Sequence, residues 1–270
     1  MLADMHTHSE NSHDSVCKIE DMYNSQIMKG TEIFAVTDHF DTSSFDEYDV
    51  YAPIIKAHET VKELNKKIDK GQILSGIEIG EGFWFPEVYD KIMSLVDYDV
   101  IIGSVHLVKY KKLTYAYSKI DFTKLSRAET EGYIDAYFDD MLTMLEFSDF
   151  DILAHLTCPI SRYIKGKYEL DFDISPYEEK IERILKTVIK KEHAFEVNTS
   201  AFGKTGEFMP DKKIIKNYYD LGGRLITLGS DAHIAENASQ NFLKAVEVLK
   251  AIGFKDIYYY KNRKPYSIKI

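Results

Sequence analysis

The 270-residue sequence predicts an α/β fold in which a parallel sheet closes into a barrel. Short β-branched runs alternate with longer amphipathic segments, which is the pattern of βα units around a parallel sheet. Seven such units follow one another, one fewer than in the standard eight-stranded barrel. Histidines and carboxylates recur where the apolar runs end, and active sites of barrel enzymes are built at that rim.

The elements follow one another along the whole chain without an internal repeat or a Pro/Gly-rich linker. Strands are predicted at Leu2–Met5, Ile33–Thr37, Gln72–Glu78, Asp99–His106, Asp151–His155, Ala194–Thr199 and Leu225–Gly229. Helices are predicted near Ile19–Lys29, Tyr51–Lys70, Pro86–Leu95, Glu129–Phe147, Pro176–Lys191, Lys212–Leu221 and Ala238–Ile252. The aromatic and polar segment Val108–Ala128 is too long for a simple βα turn and predicts a loop over the site. The segment from Ile257 to Ile270 predicts a terminal hairpin.

Composition narrows the class of protein. A chain of 270 residues could form one α/β barrel or two smaller domains, and we expect a single domain over residues 1–270. It has no apolar run long enough for a transmembrane helix, no secretory signal, and only two cysteines, so we expect a cytoplasmic protein. The net charge of -10 argues against nucleic-acid and anionic-membrane partners. It does not exclude a small phosphorylated substrate, because divalent cations would override the local sign of the charge.

Six of the nine histidines lie at the ends of predicted strands. His6 and His8 form an HxH pair, and the alternation of a strand places both imidazoles on the same face. Glu78 ends an apolar run and is the expected bridging carboxylate, although Glu81 three residues later could compete for that role. The remaining strand-end candidates are His39, His106, His155, Asp231 and His233. Imidazoles and carboxylates are the ligands of borderline divalent metals, so the set predicts a multinuclear metal hydrolase.

The loop after the HxH pair offers two adjacent candidates, His13 and Asp14. Asp14 is the favoured ligand, but Asp14 and Ser15 could also simply cap the following helix. The sequence pattern by itself leaves this choice open.

Taken in order, these motifs resemble the polymerase and histidinol phosphatase (PHP) family, and within it the stand-alone histidinol-phosphate phosphatases. The resemblance is carried by the HxH pair with Asp14 six residues later, and by Thr37-Asp38-His39, Gly76-Ile77-Glu78, Gly103-Ser104-Val105-His106, Ala154-His155 and Gly229-Ser230-Asp231-Ala232-His233. It covers essentially the whole chain. It implies a distorted (β/α)7 barrel with a trinuclear metal centre.

The resemblance also implies a ligand set. The first metal would be held by His6, His8, Glu78 and Asp231; the second by Glu78, His106 and His155; the third by Asp14, His39 and His233. Some relatives carry a histidine at the position of Asp14, so His13 is kept as an alternative. We expect two to three divalent transition metals (Mn, Fe or Zn).

Arg162 matches a family arginine that binds the substrate phosphate, whereas the arginine that many relatives carry after Asn198-Thr199-Ser200 is missing here. Lys204 is the nearest cation that could replace it, and Tyr117 and Glu81 are the other expected substrate contacts. Asp231 or His233 would serve the proton transfers. The implied activity is hydrolysis of L-histidinol phosphate to L-histidinol and phosphate in histidine biosynthesis. The alternatives are a phosphoesterase acting on a nucleotide or a phosphotyrosyl protein, and an amidohydrolase-like enzyme; the latter class usually carries a bridging lysine, and no lysine ends a strand here.

Overall fold

The computed structural model describes residues 1–42, 51–111 and 113–270. Its strands are β1 (Leu2–Thr7), β2 (Thr31–Val36), β3 (His39–Asp41), β4 (Gln72–Gly80), β5 (Val100–Ser104), β6 (Leu107–Tyr110), β7 (Leu113–Ala116), β8 (Ile152–Leu153), β9 (Ala194–Asn198), β10 (Ile226–Gly229), β11 (Asp256–Lys261) and β12 (Lys264–Lys269). The central sheet has the order β1-β2-β4-β5-β8-β9-β10, with β3 paired to β4. All of these pairings are parallel. The seven predicted strands therefore occur in sequence order in the sheet.

The sheet closes between its first strand and the chain that follows its last one. Thr7 and Ala232 form a parallel bridge. The N–H of His8 donates to the carbonyl of Ala232 at 2.9 Å, and the N–H of Asp231 donates to the carbonyl of His6 at 2.8 Å. These bonds place the HxH pair and the Asp-Ala-His motif side by side, although they come from opposite ends of the sequence.

The helices connect successive strands and cover the sheet. They are α1 (Ile19–Met28), α2 (Tyr51–Asn65), α3 (Pro86–Met93), α4 (Arg127–Phe147), α5 (Glu178–Lys190), α6 (Phe202–Thr205), α7 (Lys212–Asp220) and α8 (Phe242–Ile252). In α5 the buried side chains Ile181, Ile184, Leu185 and Val188 recur at helical spacing and form one apolar stripe. Among the described residues, none of the helices combines the length and the apolar character needed to cross a membrane.

Two hairpins flank the barrel at opposite ends. The predicted terminal hairpin is confirmed: β11 and β12 pair antiparallel. It lies against the amino ends of the strands, where the Nε of Arg263 contacts Asp151 Oδ2 at 2.7 Å. The segment predicted as a loop over the site instead contains the hairpin β6–β7. That hairpin begins directly after His106, and the N–H of Tyr117 donates back to the His106 carbonyl at 3.1 Å.

The second strand differs from its prediction in a way that matters for the site. It ends at Val36, and the chain resumes pairing as the short strand β3. In this register His39 lies opposite Glu78 on β4. The interruption thus moves His39 from the end of one strand to a position beside the predicted bridging carboxylate.

Candidate metal centre

The carboxyl ends of the strands bring all nine predicted ligands into one connected cluster. Each of them has at least one ring nitrogen or carboxylate oxygen within 4.0 Å of another member. The members are His6, His8, Asp14, His39, Glu78, His106, His155, Asp231 and His233.

Glu78 lies at the centre of this cluster and is fully buried. Its Oε2 is 3.2 Å from His6 Nε2 and 2.9 Å from His39 Nδ1. Its Oε1 is 3.1 Å from His106 Nε2 and 2.9 Å from His155 Nε2. The two oxygens of one carboxylate thus face two different groups of imidazoles, as a bridging ligand must.

Asp231 has a backbone φ of 51°, which is uncommon for a residue other than glycine. This conformation directs its carboxylate into the cluster, where Oδ1 lies 3.4 Å from His8 Nε2 and 4.0 Å from His6 Nε2. The other oxygen, Oδ2, accepts a hydrogen bond from Arg162 Nη1 at 2.8 Å. One carboxylate therefore links the first histidine pair to the arginine.

Asp14 and His13 are both exposed and both line the cavity over the cluster, but they differ in their contacts with it. Asp14 Oδ2 is 3.1 Å from His233 Nε2 and 3.5 Å from His39 Nε2. His13 is exposed, with its ring centroid 5.3 Å from that of His39. The geometry thus favours Asp14 as the partner of His39 and His233.

Unpaired buried atoms indicate that metal ions fit this cluster. His6 Nε2, His8 Nε2, His39 Nδ1 and Glu78 Oε2 are buried, and none of them has a hydrogen-bond partner. Such atoms are normally satisfied in folded proteins, and imidazole nitrogens and carboxylate oxygens are divalent-metal ligands. Overlapping trios place their ligand atoms within 4.8 Å of one another: His6/His8/Asp231, His6/Glu78/His155, His8/His39/His233 and His39/Asp41/His106. The residues present therefore form a divalent-metal site.

The charges of the cluster favour the ligating form of its carboxylates. Complete burial acts to raise the pKa of Glu78, but the facing imidazoles of His6 and His106 outweigh this effect. The pKa of Glu78 therefore lies well below its usual value. Burial likewise acts to raise the pKa of Asp231, but the positive charge of Arg162 outweighs it, and the pKa lies well below its usual value. Both carboxylates are thus ionised at neutral pH, which is the form that binds metals.

A cavity of about 730 Å³ opens over the cluster. His106, His155, Asp231 and His233 form its floor. Arg162 projects into it from a nine-residue π-helix, Pro159–Lys167, a helix type that frequently marks functional sites. The wall includes Trp84, Tyr115, Tyr117, Tyr163, Lys109 and Lys119.

The model of the PHP domain family matches residues 4–200 of the sequence. This chain belongs to the PHP family. The family predicted from the motifs is therefore confirmed.

Full-length relatives agree with this assignment. A probable histidinol-phosphatase of Clostridium acetobutylicum is 29% identical over 269 residues, covering 99% of this chain and 100% of the relative. One from Thermotoga maritima is 29% identical over 256 residues and covers 94% of each chain. The crystal structure of histidinol phosphate phosphatase from Lactococcus lactis, in complex with zinc, L-histidinol and phosphate, superposes with a TM-score of 0.80 at 25% identity, covering 98% of both chains. This match confirms the predicted barrel fold.

Two carboxylates of this PHP site were not predicted from the sequence. Glu196 Oε1 lies 2.7 Å from His6 Nδ1, and Asp41 Oδ1 lies 2.8 Å from His106 Nδ1. In both histidines the other ring nitrogen faces Glu78. A signal was present in each case, since Glu196 is a charged residue within a buried apolar strand and Asp41 follows His39 by two residues.

Two expected substrate contacts do not reach the PHP cavity. Lys204 lies on the short helix α6 and lines a separate surface cavity with Lys165 and Glu207. Glu81 is fully buried, and its Oε1 accepts the N–H groups of His106 at 2.5 Å and Leu107 at 2.7 Å. Burial and the nearby Asp41 raise the pKa of Glu81 to about 8. In this structure both side chains thus lie outside the cavity: Lys204 lines a different one, and Glu81 holds the backbone after β5.

Tyr117 does line the cavity, as expected, although little of it is exposed. Its ring lies edge-on to that of His106, with centroids 6.0 Å apart, and 5.3 Å from the ring of Tyr163. It thus forms part of the aromatic wall next to the predicted metal ligands.

Proposed function

We propose that this chain is a metal-dependent phosphomonoester hydrolase, a histidinol-phosphatase that converts L-histidinol phosphate and water to L-histidinol and phosphate. The observation that carries the proposal is a group of unpaired buried imidazole and carboxylate atoms that contacts the floor of a cavity, into which Arg162 also projects. The names of the full-length relatives support the same activity.

The centre holds two to three ions, of Mn, Fe or Zn. His6, His8, Glu78 and Asp231 would hold the first; Glu78, His106 and His155 the second; and Asp14, His39 and His233 the third. The distances from Glu78 to both groups of imidazoles support its role as the bridge. Bound divalent metals lower the pKa of water towards about 7 and neutralise the charge that develops on phosphoryl oxygens.

Arg162 binds the substrate phosphate. Its side chain is 37% exposed and lies at the cavity, so its guanidinium is accessible to a small ligand. The planar guanidinium can donate two parallel hydrogen bonds to phosphoryl oxygens, which suits a group whose charge grows in the transition state. In this structure Arg162 Nη1 donates a hydrogen bond to Asp231 Oδ2.

Asp231 or His233 carries the proton transfers. Both line the cavity, and His233 is the more exposed of the two, at 19% against 4% of the side chain. His233 Nδ1 lies 3.0 Å from the Asp231 carbonyl oxygen, so the two residues keep a fixed relative position. The proton leaves the attacking water and returns to the alkoxide of the departing alcohol at this edge of the cavity.

The substrate is small, phosphorylated and carries an imidazole. A cavity of about 730 Å³ falls in the range of small-molecule sites. The aromatic side chains of its wall suit an imidazole ring, while Arg162 and the metal ligands suit the phosphate. Because the chain carries a net charge of -10, the proposal includes no nucleic-acid partner.

Phosphate release tests the proposal. The purified protein, supplied with Mn²⁺, is assayed on L-histidinol phosphate, a panel of nucleotides and a phosphotyrosyl peptide. We expect kcat/KM for L-histidinol phosphate to exceed that for every other substrate. Faster turnover of a nucleotide or of the phosphopeptide would contradict the assignment of the substrate.

A further inference from the structure

Glu196 is a buried carboxylate that touches ligands of two proposed metal sites at once. It lies on β9 with 1% of its surface exposed. Its Oε1 is 2.7 Å from His6 Nδ1, and its Oε2 accepts the backbone N–H of His155 at 2.6 Å and Asn198 Nδ2 at 3.3 Å. Both oxygens therefore have partners, and neither faces the cluster of unpaired atoms.

The contact with His6 decides which ring nitrogen can bind a metal. When Nδ1–H donates to a carboxylate, Nε2 keeps its lone pair and the ring orientation is fixed. His6 Nε2 is one of the unpaired buried atoms and lies 3.2 Å from Glu78 Oε2. His6 is thus presented to the metal site by a residue that lies behind it.

Gly229 leaves the space in which this contact is made. A Cβ at this position would lie 2.0 Å from Glu196 Oε1 and 2.8 Å from His6 Cβ. Gly229 does not have a positive φ, so its backbone conformation does not require glycine. The close approach of the Glu196 carboxylate to His6 explains why a side chain is excluded here.

We propose that Glu196 is a positioning residue of the metal centre, which sets the tautomer of His6 at the first site and holds the backbone of His155 at the second. The proposal rests on the proposed function only in needing divalent metals at this cluster. A partner of this kind typically contributes 10- to 100-fold to metal affinity. Its negative charge also adds to the attraction that the cluster exerts on cations.

Zinc affinity tests the proposal without any substrate. Zn²⁺ alone is titrated against a competing chelator with the full-length wild-type protein and with Glu196→Gln. We expect the tightest zinc-binding step of the variant to weaken about 10- to 100-fold. Proton NMR of the zinc-loaded protein gives a second readout, because the Nδ1–H signal of His6, far downfield when bonded to a carboxylate, should shift upfield in Glu196→Gln.

Matched variants separate positioning from folding. Asp151→Asn removes another buried carboxylate, paired with Arg263 at the opposite end of the barrel, and should lower Tm without changing zinc affinity. Gly229→Ala should reproduce the loss caused by Glu196→Gln, whereas Gly203→Ala, where a Cβ meets nothing within 4 Å, should not.

The results distinguish this inference from the proposed activity. Unchanged zinc affinity and an unchanged His6 signal in folded Glu196→Gln would overturn the positioning role, even if the wild-type enzyme hydrolyses L-histidinol phosphate. Weakened zinc binding in Glu196→Gln and Gly229→Ala would support it, even if L-histidinol phosphate proved a poor substrate.

Discussion

Arg162 and Asp231 form an ion pair across the floor of the cavity, with 2.8 Å between Nη1 and Oδ2. The other oxygen of the same carboxylate faces His8 Nε2 at 3.4 Å. The residue proposed to bind phosphate therefore also touches a proposed metal ligand. Substitutions of Arg162 must accordingly be examined for metal content as well as for rate.

Replacing Arg162 tests its role as the phosphate ligand. Arg162→Ala should reduce kcat/KM for L-histidinol phosphate by about 100-fold or more, the scale of losing a charge-assisted transition-state contact. Arg162→Lys should recover only part of the loss, because an ammonium lacks the planar fork of the guanidinium. Metal content by elemental analysis should stay at the wild-type value.

The exposed Arg183 on α5 provides a matched control, and Arg183→Ala should behave as wild type. If Arg162→Ala loses metal in proportion to activity, Arg162 acts by holding Asp231. Near wild-type kinetics would remove Arg162 from the mechanism altogether.

Glu78 and Glu81 give a paired comparison, because both are fully buried carboxyl groups on or just after β4. Glu78→Gln should abolish turnover and lower metal content, since the bridging group loses charge towards two cations at once. Glu81→Gln should do less, since its Oε1 accepts backbone N–H groups that an amide oxygen can also accept. Turnover and metal content are measured for both variants, and a greater loss of both in Glu81→Gln would refute the assignment of the bridge.

The size of the ligand set predicts the metal content. Protein purified without chelator should contain two to three transition-metal ions per chain, because nine candidate ligands converge on one cluster and the two oxygens of Glu78 face different imidazoles. Elemental analysis by mass spectrometry measures this directly. A value below one ion per chain, persisting after incubation with Mn²⁺, Fe²⁺ or Zn²⁺ and desalting, would exclude a multinuclear centre.

Replacing Asp140 on α4 by asparagine should stabilise the protein in a pH-dependent way. Burial raises its pKa to about 6, and its Oδ2 has no hydrogen-bond partner. An unfolded aspartate has a pKa near 3.9, so the folded state holds this proton more tightly and stability falls as the pH rises through about 6. Asp140→Asn removes this penalty and should raise Tm by about 2–4 °C at pH 8, allowing for the partial exposure of the side chain.

At pH 4 the same substitution should change Tm little, because the carboxyl of the wild type is then protonated in the folded state. Scanning calorimetry at both pH values measures the difference. The exposed Asp69 supplies the control Asp69→Asn, which should have no effect at either pH. Equal stabilisation by Asp140→Asn at pH 4 and pH 8 would show that ionisation is not the cause.

The order of the strands and the convergence of the candidate ligands could be predicted from the sequence because both are encoded locally. Alternating apolar residues define each strand, and parallel strands joined by helices must all end at one rim. A histidine or carboxylate that ends a strand, such as Glu78 or His155, is therefore placed near the others whatever the details of packing. Each of these residues lies in the cluster in the structure.

The surroundings of the ligands were decided only by the tertiary structure, because they depend on contacts between distant segments. Glu196 meets His6 across 190 residues of sequence, and no local pattern encodes that distance. Lys204 and Glu81 lie close in sequence to site residues, yet α6 carries Lys204 to another cavity, and Glu81 turns inward to the backbone of His106. The sequence by itself determined which chemistry collects at the rim, whereas barrel closure and packing decided which side chains face the cavity and which support it from behind.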